Sequence, residues 1–183
     1  MDLELARLID RPDVAVAANH IRASDDTTLA WQVALSEIAA PPFGEARRAA
    51  FMAELMAEVG LENVRTDGAG NVIADRRGTD DLTPLVISAH LDTVFPIETD
   101  VTVTREGELL KGPGISDDAR GLASLLAIAH ALEIARLRTL RPLRFVATVG
   151  EEGMGDLRGV KYLFGADGEA RDAVAFMSLD GAG

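Results

Sequence analysis

The sequence contains no cysteine. Disulfides and thiolate metal sites are thereby excluded, and any metal must be held by imidazole and carboxylate groups. The same absence is compatible with a reducing cytoplasm, where we expect the protein to reside. Basic residues are scarce too: 18 Lys and Arg stand against 30 Asp and Glu, for a net charge of −12. A protein of that sign repels phosphate backbones and anionic lipid heads, which argues against nucleic acid or an acidic membrane as its partner. The first residues, "MDLELARLID", carry acids where a secretory signal wants a basic start and an apolar core, so no export signal is expected. The longest mostly apolar stretch, "GLASLLAIAHAL", is about half of the ~20 residues needed to span a bilayer, and a soluble protein is expected. Internal repeats, low-complexity tracts and linkers are lacking as well.

What is present is enough for one globular domain with a real core: 183 residues, 48% of them hydrophobic. From Leu3 to Ala40 the chain is Ala-rich with helical spacing until Pro41-Pro42 stops it, and "EARRAAFMAELMAEV" (45–59) predicts a second helix closed by Gly60. The period then shortens toward 2. "NVRTDGAGNVIADRRG" predicts a hairpin turned at Asp67 to Gly70, "PLVISAHL" a buried strand, and "VTVTREGELLKG" a second hairpin turned at Glu106-Gly107. "DDARGLASLLAIAHALEIARL" is the longest helix candidate; after it come the strand "LRFVATV", a short helix near "LRGVKYLFG" and a closing strand "AVAFMSLD". This alternation is that of an α/β layered sheet with helices on both faces, whose chemistry gathers at the C-terminal ends of the strands.

Those ends carry acids. "LVISAHLDTV" delivers His90 and Asp92, "LRFVATVGEEG" delivers Glu151 and Glu152, and "AVAFMSLDG" delivers Asp180. "GPGISDDARG" puts Asp117 and Asp118 at the start of the long helix. Singly, each has a plain reading: a hydrogen-bonded histidine, two helix caps, two solvated glutamates, a turn aspartate. Together, one imidazole and up to six carboxylates aimed at one sheet edge repel one another unless protons or cations intervene. Such a donor set without sulfur suits zinc, manganese or cobalt, and an aspartate able to bridge would centre a two-metal site with ions ~3.5–4 Å apart. Of two adjacent glutamates, one can bind metal while the other moves protons. "GMGDLRG" is rejected as a dinucleotide loop, because its spacing is off and its acids would face a pyrophosphate.

"AHLDTV", "GPGISDDARG", "VGEEGMGDLRG" and "SLDG", in this order, resemble the co-catalytic dinuclear zinc exopeptidases and amidohydrolases, among them peptidase T-like tripeptidases, glutamate carboxypeptidases, aminoacylases and succinyl-diaminopimelate desuccinylase. "APPFGEARR" (40–48) is similar to the loop after that family's first helix. The resemblance implies that His90 ligates one metal and Asp92 orients its imidazole. It implies Asp117 as the bridging ligand, Glu151 as general base, Glu152 as ligand of the second metal and Asp180 as the carboxylate completing the first. A cis Asp117-Asp118 peptide is implied as well. Two divalent ions, most simply zinc with cobalt or manganese as alternatives, would serve hydrolysis of a small peptide or an acylated amino acid. An aminopeptidase or tripeptidase activity is expected, with an N-acyl-amino-acid deacylase or a non-catalytic metal-binding fragment as the alternatives.

The family pattern also has a C-terminal histidine ligand and an inserted lid or dimerisation domain. His130 lies thirteen residues beyond Asp117 on one predicted helix, about 20 Å away at ~1.5 Å per residue, and His20 has no motif around it. Residues 1–183 are therefore expected to form the N-terminal part of a catalytic domain, apparently truncated, and to hydrolyse peptides poorly or not at all when alone. Oligomeric state is left open.

Overall fold

The computed structural model describes residues 7–181, so the start of the expected N-terminal helical run, residues 3–6, lies outside them. That run divides into helices α1 (Pro12–Ala23) and α2 (Asp25–Ser36). It breaks at Ser24, whose amide and hydroxyl both donate to the carbonyl of His20, at 2.9 and 2.8 Å, and close α1. Asp25 and Asp26 then open α2, where acids complement the helix dipole. α2 ends short of Pro41-Pro42 because a side chain from the next helix takes the following carbonyls: Arg48 donates to Ser36 at 3.4 Å and twice to Ile38, at 3.0 and 2.6 Å. Arg48 belongs to α3 (Ala46–Glu58), which buries Ala49, Met52, Leu55 and Met56 at helical spacing and is followed by Gly60 at φ 90°.

Strands β1 (Glu62–Thr66) and β2 (Val72–Arg76) form the expected hairpin. Its turn is fixed by Asp67, whose Oδ1 accepts the amides of Ala69, Gly70 and Asn71 at 2.9–3.0 Å. β3 (Leu85–His90) follows, then the small hairpin β4 (Thr104–Glu106) and β5 (Leu109–Lys111), the long helix α4 (Ala119–Ile134), β6 (Leu143–Thr148), the short helix α5 (Arg158–Leu163) and β7 (Ala175–Ser178). The main sheet has the order β1-β2-β6-β3-β7; β6, β3 and β7 run parallel, while β1 and β2 join antiparallel. The parallel strands therefore end together, at His90, Thr148 and Ser178.

Strand alternation divides the core into two layers. Val72, Ala74, Ile87, Ala89, Phe145 and Ala147 pack with α2, α3 and α4, whereas Ile73, Val86 and Val146 meet Leu163 of α5 and Ala170 on the opposite face. Helices thus cover both faces, as the α/β pattern predicts. α4 is buried on nearly every side, from Ala119 through Leu122, Leu125 and Leu126 to Ala131, because it is held between the sheet and the pair α1 and α2. Each of its buried leucines contributes about 1.5–3 kcal/mol of transfer free energy. His20 and His130, set aside as ligands in the sequence, meet each other where α1 crosses α4, with Nε2 and Nδ1 3.3 Å apart and Trp31 alongside. Among the described residues, no helix is long and apolar enough to cross a membrane.

Candidate metal centre

The site is built where β3, β6 and β7 end and α4 begins. His90, the last residue of β3, is 3% exposed, and its ring nitrogens face opposite ways. Nε2 points at acids from two other segments, 2.9 Å from Oδ1 of Asp117 and 4.0 Å from Oδ1 of Asp180. Nδ1 stands 3.6 Å from Oδ1 of Asp92, a little beyond a hydrogen bond, and among the described residues this buried nitrogen has no other partner. Among the described residues two donor sets emerge, each with ligand atoms within 4.8 Å of one another: His90 with Asp117 and Asp180, and His90 with Glu151 and Glu152. The five residues that the sequence places at strand ends and the helix start are thus brought together.

Two of the acids turn inward instead. Asp92 is fully buried and accepts the amides of Glu151 and Glu152, one on each oxygen, both at 2.9 Å. Asp118 is also fully buried: Oδ1 accepts the amide of Gly121 at 2.9 Å and so caps α4, while Oδ2 accepts the amide of His90 at 2.9 Å. A side chain on residue 121 would collide with that carboxylate, which is why glycine stands there. The cap reading of the Asp117-Asp118 pair holds for Asp118. The peptide between them is cis. Asp117 is left with its side chain half exposed, facing His90.

The electrostatics reflect crowding. Burial works against a charged His90 ring, but the adjoining Asp92 carboxylate and the charges of Asp118 and Asp117 outweigh it and raise the pKa to about 9. Burial, assisted by the charge of Asp180, pushes Asp118 up to about 7 against the pull of His90 and two amides. Asp92 is lowered: burial opposes ionisation, yet His90 and the amides of Glu151 and Glu152 prevail. Glu152 is raised by burial and then by the negative charge of Asp117, with Glu151 and Asp92 adding to it. A cation at this edge would relieve that repulsion while using nitrogen and oxygen donors already in place. The buried, oriented imidazole and the carboxylates it faces fit a divalent metal ion.

The sequence reading did not single out the acceptors that hold the acid pair from behind. Asn71, fully buried, accepts the amide of Val149 at 3.0 Å, and Glu45, 3% exposed, accepts that of Gly150 at 3.0 Å. "APPFGEARR" and the hairpin turn at Asp67 to Gly70 are the sequence signals beside them, and neither says which way Glu45 or Asn71 points.

No curated protein matches the sequence significantly. Solved structures do match its fold. A tripeptidase from Staphylococcus aureus superposes with a TM-score of 0.65 at 22% identity, over 85% of this chain and 43% of that one. Human carnosine dipeptidase 1 gives 0.73 at 15% identity, over 92% and 41%. A Bacillus subtilis protein described as a dinuclear metal binding peptidase of the M20 family gives 0.59 at 16%, over 87% and 44%. At these identities the likeness is one of fold, and the chain spans about two-fifths of the length of each. The sequence itself is matched over residues 71–183, the segment that carries the candidate residues from His90 to Asp180, by the model of peptidase family M28. The chain belongs to peptidase family M28.

Proposed function

We propose that this chain is the N-terminal part of the catalytic domain of a metal-dependent exopeptidase, of aminopeptidase or tripeptidase type, which cleaves small peptides in the cytoplasm. The observation that carries the reading is the meeting of two donor sets at the carboxyl edge of the sheet. His90 is common to both sets, but Nε2 is one donor and Nδ1 is turned to Asp92, so the ring serves a single ion. Asp117 offers two oxygens and is half exposed, which suits it to bridge toward a second ion at Glu152. His90 and Asp180 would then complete the first ion's place and Glu152 the second's.

A pair of divalent cations, zinc in the first instance, would polarise a scissile carbonyl and acidify water there. Glu151 does the proton work. It is less than fully buried, and its backbone is fixed by Asp92, so its carboxylate can take a proton from the attacking water and return it to the leaving amine. Asp92 keeps the His90 ring turned so that Nε2 faces the acids.

Hydrolysis of tripeptides and of N-acetyl amino acids, with added zinc, manganese or cobalt, tests the proposal on this chain and on any longer form of the gene. Little or no turnover is expected of the isolated chain, and metal-dependent release of amino acids from tripeptides is expected of a longer form, with Glu151→Gln slower by about 10²–10⁴-fold. Release from N-acetyl amino acids alone would make the protein a deacylase, and metal binding without turnover in any form would make it a non-catalytic module.

A further inference from the structure

We infer that Glu45, braced by Arg158, is a positioning residue for the Glu151-Glu152 pair. This rests on the metal reading above and deepens it. Leaving β6, the chain presents four consecutive amides, and each is taken by a side chain from elsewhere. Val149 donates to Asn71 at 3.0 Å, Gly150 to Oε1 of Glu45 at 3.0 Å, and Glu151 and Glu152 to the two oxygens of Asp92 at 2.9 Å. Gly150 has φ 61°, a left-handed conformation, so the chain bends sharply just before the two glutamates. The bend is gripped from the other side by backbone, with the amide of Arg158 donating to Gly150 at 3.2 Å and that of Gly159 to Val149 at 3.0 Å.

Glu45, like Asp92, is a buried carboxylate, and its partner is a guanidinium from another segment. Both of its oxygens lie 2.8 Å from Nη2 of Arg158, and the guanidinium rests 4.8 Å from the ring centroid of Phe43. A buried ion pair is a weak source of net stability, since desolvation offsets much of the attraction. What it supplies here is a fixed direction: the carboxylate is held so that one oxygen meets the amide next to Glu151. The first residues of the "FGEARR" segment, remote in sequence from every metal-facing group, therefore set where the general base and the adjacent ligand stand.

Glu45→Ala removes the acceptor, whereas Glu45→Gln keeps an oxygen for Gly150 and loses the charge. Two readouts on the purified chain separate positioning from bulk stability: amide hydrogen exchange at residues 150–152 without metal, and zinc or cobalt affinity by competition titration. Glu45→Ala is expected to speed exchange at those amides by about tenfold or more. It should also weaken metal binding by about 10–100-fold, the range for residues that orient ligands, and Glu45→Gln should restore most of both. Should Glu45→Ala fail to fold, Glu45→Gln and Arg158→Met carry the test, each with a smaller loss in the same two readouts. Variants that lower the melting temperature while leaving metal affinity and the cobalt spectrum at wild-type values overturn the inference and leave the metal reading standing. A wild-type chain that binds neither metal overturns the metal reading, and this inference with it.

Discussion

Asp92→Ala is expected to weaken divalent-ion binding by about 10–100-fold and to lower stability by about 2–4 kcal/mol. Both effects come from one carboxylate. Asp92 is fully buried, holds the amides of Glu151 and Glu152, and faces Nδ1 of His90. Alanine leaves two part-buried amides without acceptors, at up to about 1–3 kcal/mol each before relaxation, and frees the imidazole to turn. Asp92→Asn is the informative companion. It keeps the size and one acceptor oxygen, but aims a donor at the other amide, so it should fall between alanine and wild type. The pH dependence has a definite sign. The pKa of Asp92 is lowered in the fold, so its contribution is present above the ordinary aspartate value of about 3.9 and is lost as the pH falls through the folded value. Denaturant unfolding at neutral pH and below pH 4, with isothermal titration of zinc, would measure all of this. An Asp92→Ala chain with wild-type zinc affinity would show that the His90 ring does not depend on it.

Arg48→Met is the second large effect. Arg48 is fully buried, with no carboxylate of the described residues in hydrogen-bond contact, and donates to the carbonyls of Ser36, Ile38 and Leu91, the last at 2.6 Å. Burial pulls its pKa down to about 10 although Asp92 and Asp118 favour the charge. It ties the segment after α2 to the residue between His90 and Asp92, and so links the helical layer to the edge that carries the acids. Methionine fills much of the volume and removes the burial cost of the cation, but leaves carbonyls unpaired. A net loss of about 2–4 kcal/mol is expected, which for a chain of this size lowers the melting temperature by about 5–15 °C. Arg48→Lys should recover little, because an ammonium cannot reproduce the fork that reaches three carbonyls. A change within about 0.5 kcal/mol for Arg48→Met would contradict this account.

The elements were legible in the sequence where local pattern decides them. The apolar runs at 85–90 and 143–148 could only be buried strands between turn residues, and the acids that follow them could only emerge at one edge once the strands were parallel. His90, Asp117, Glu151, Glu152 and Asp180 were therefore visible as a group before any coordinates. The break at Ser24 was not, because serine fits a helix as well as a cap and the choice is made by its bond to His20. Glu45 and Arg48 were hidden for a different reason. In "GEARRAAF" they read as the charged face of an ordinary helix start, and only the packing of α3 on β1 and β2, which sets its start beside Leu91 and Gly150, turns them inward. Asp118 shows both limits at once: its cap to Gly121 follows from sequence position, while its bond to the amide of His90 depends on a strand twenty-eight residues away.

The account stands on the claim that the edge around His90 binds divalent ions through His90, Asp117 and Asp180. Cobalt(II) titration of the purified chain near neutral pH, followed by visible absorption, tests it most directly when wild type is run beside His90→Ala. The account predicts saturable binding with a ligand-field spectrum in the wild type, and loss of both in His90→Ala while the fold persists. Absence of saturable binding in the wild type, or the same spectrum and affinity in His90→Ala, would contradict it.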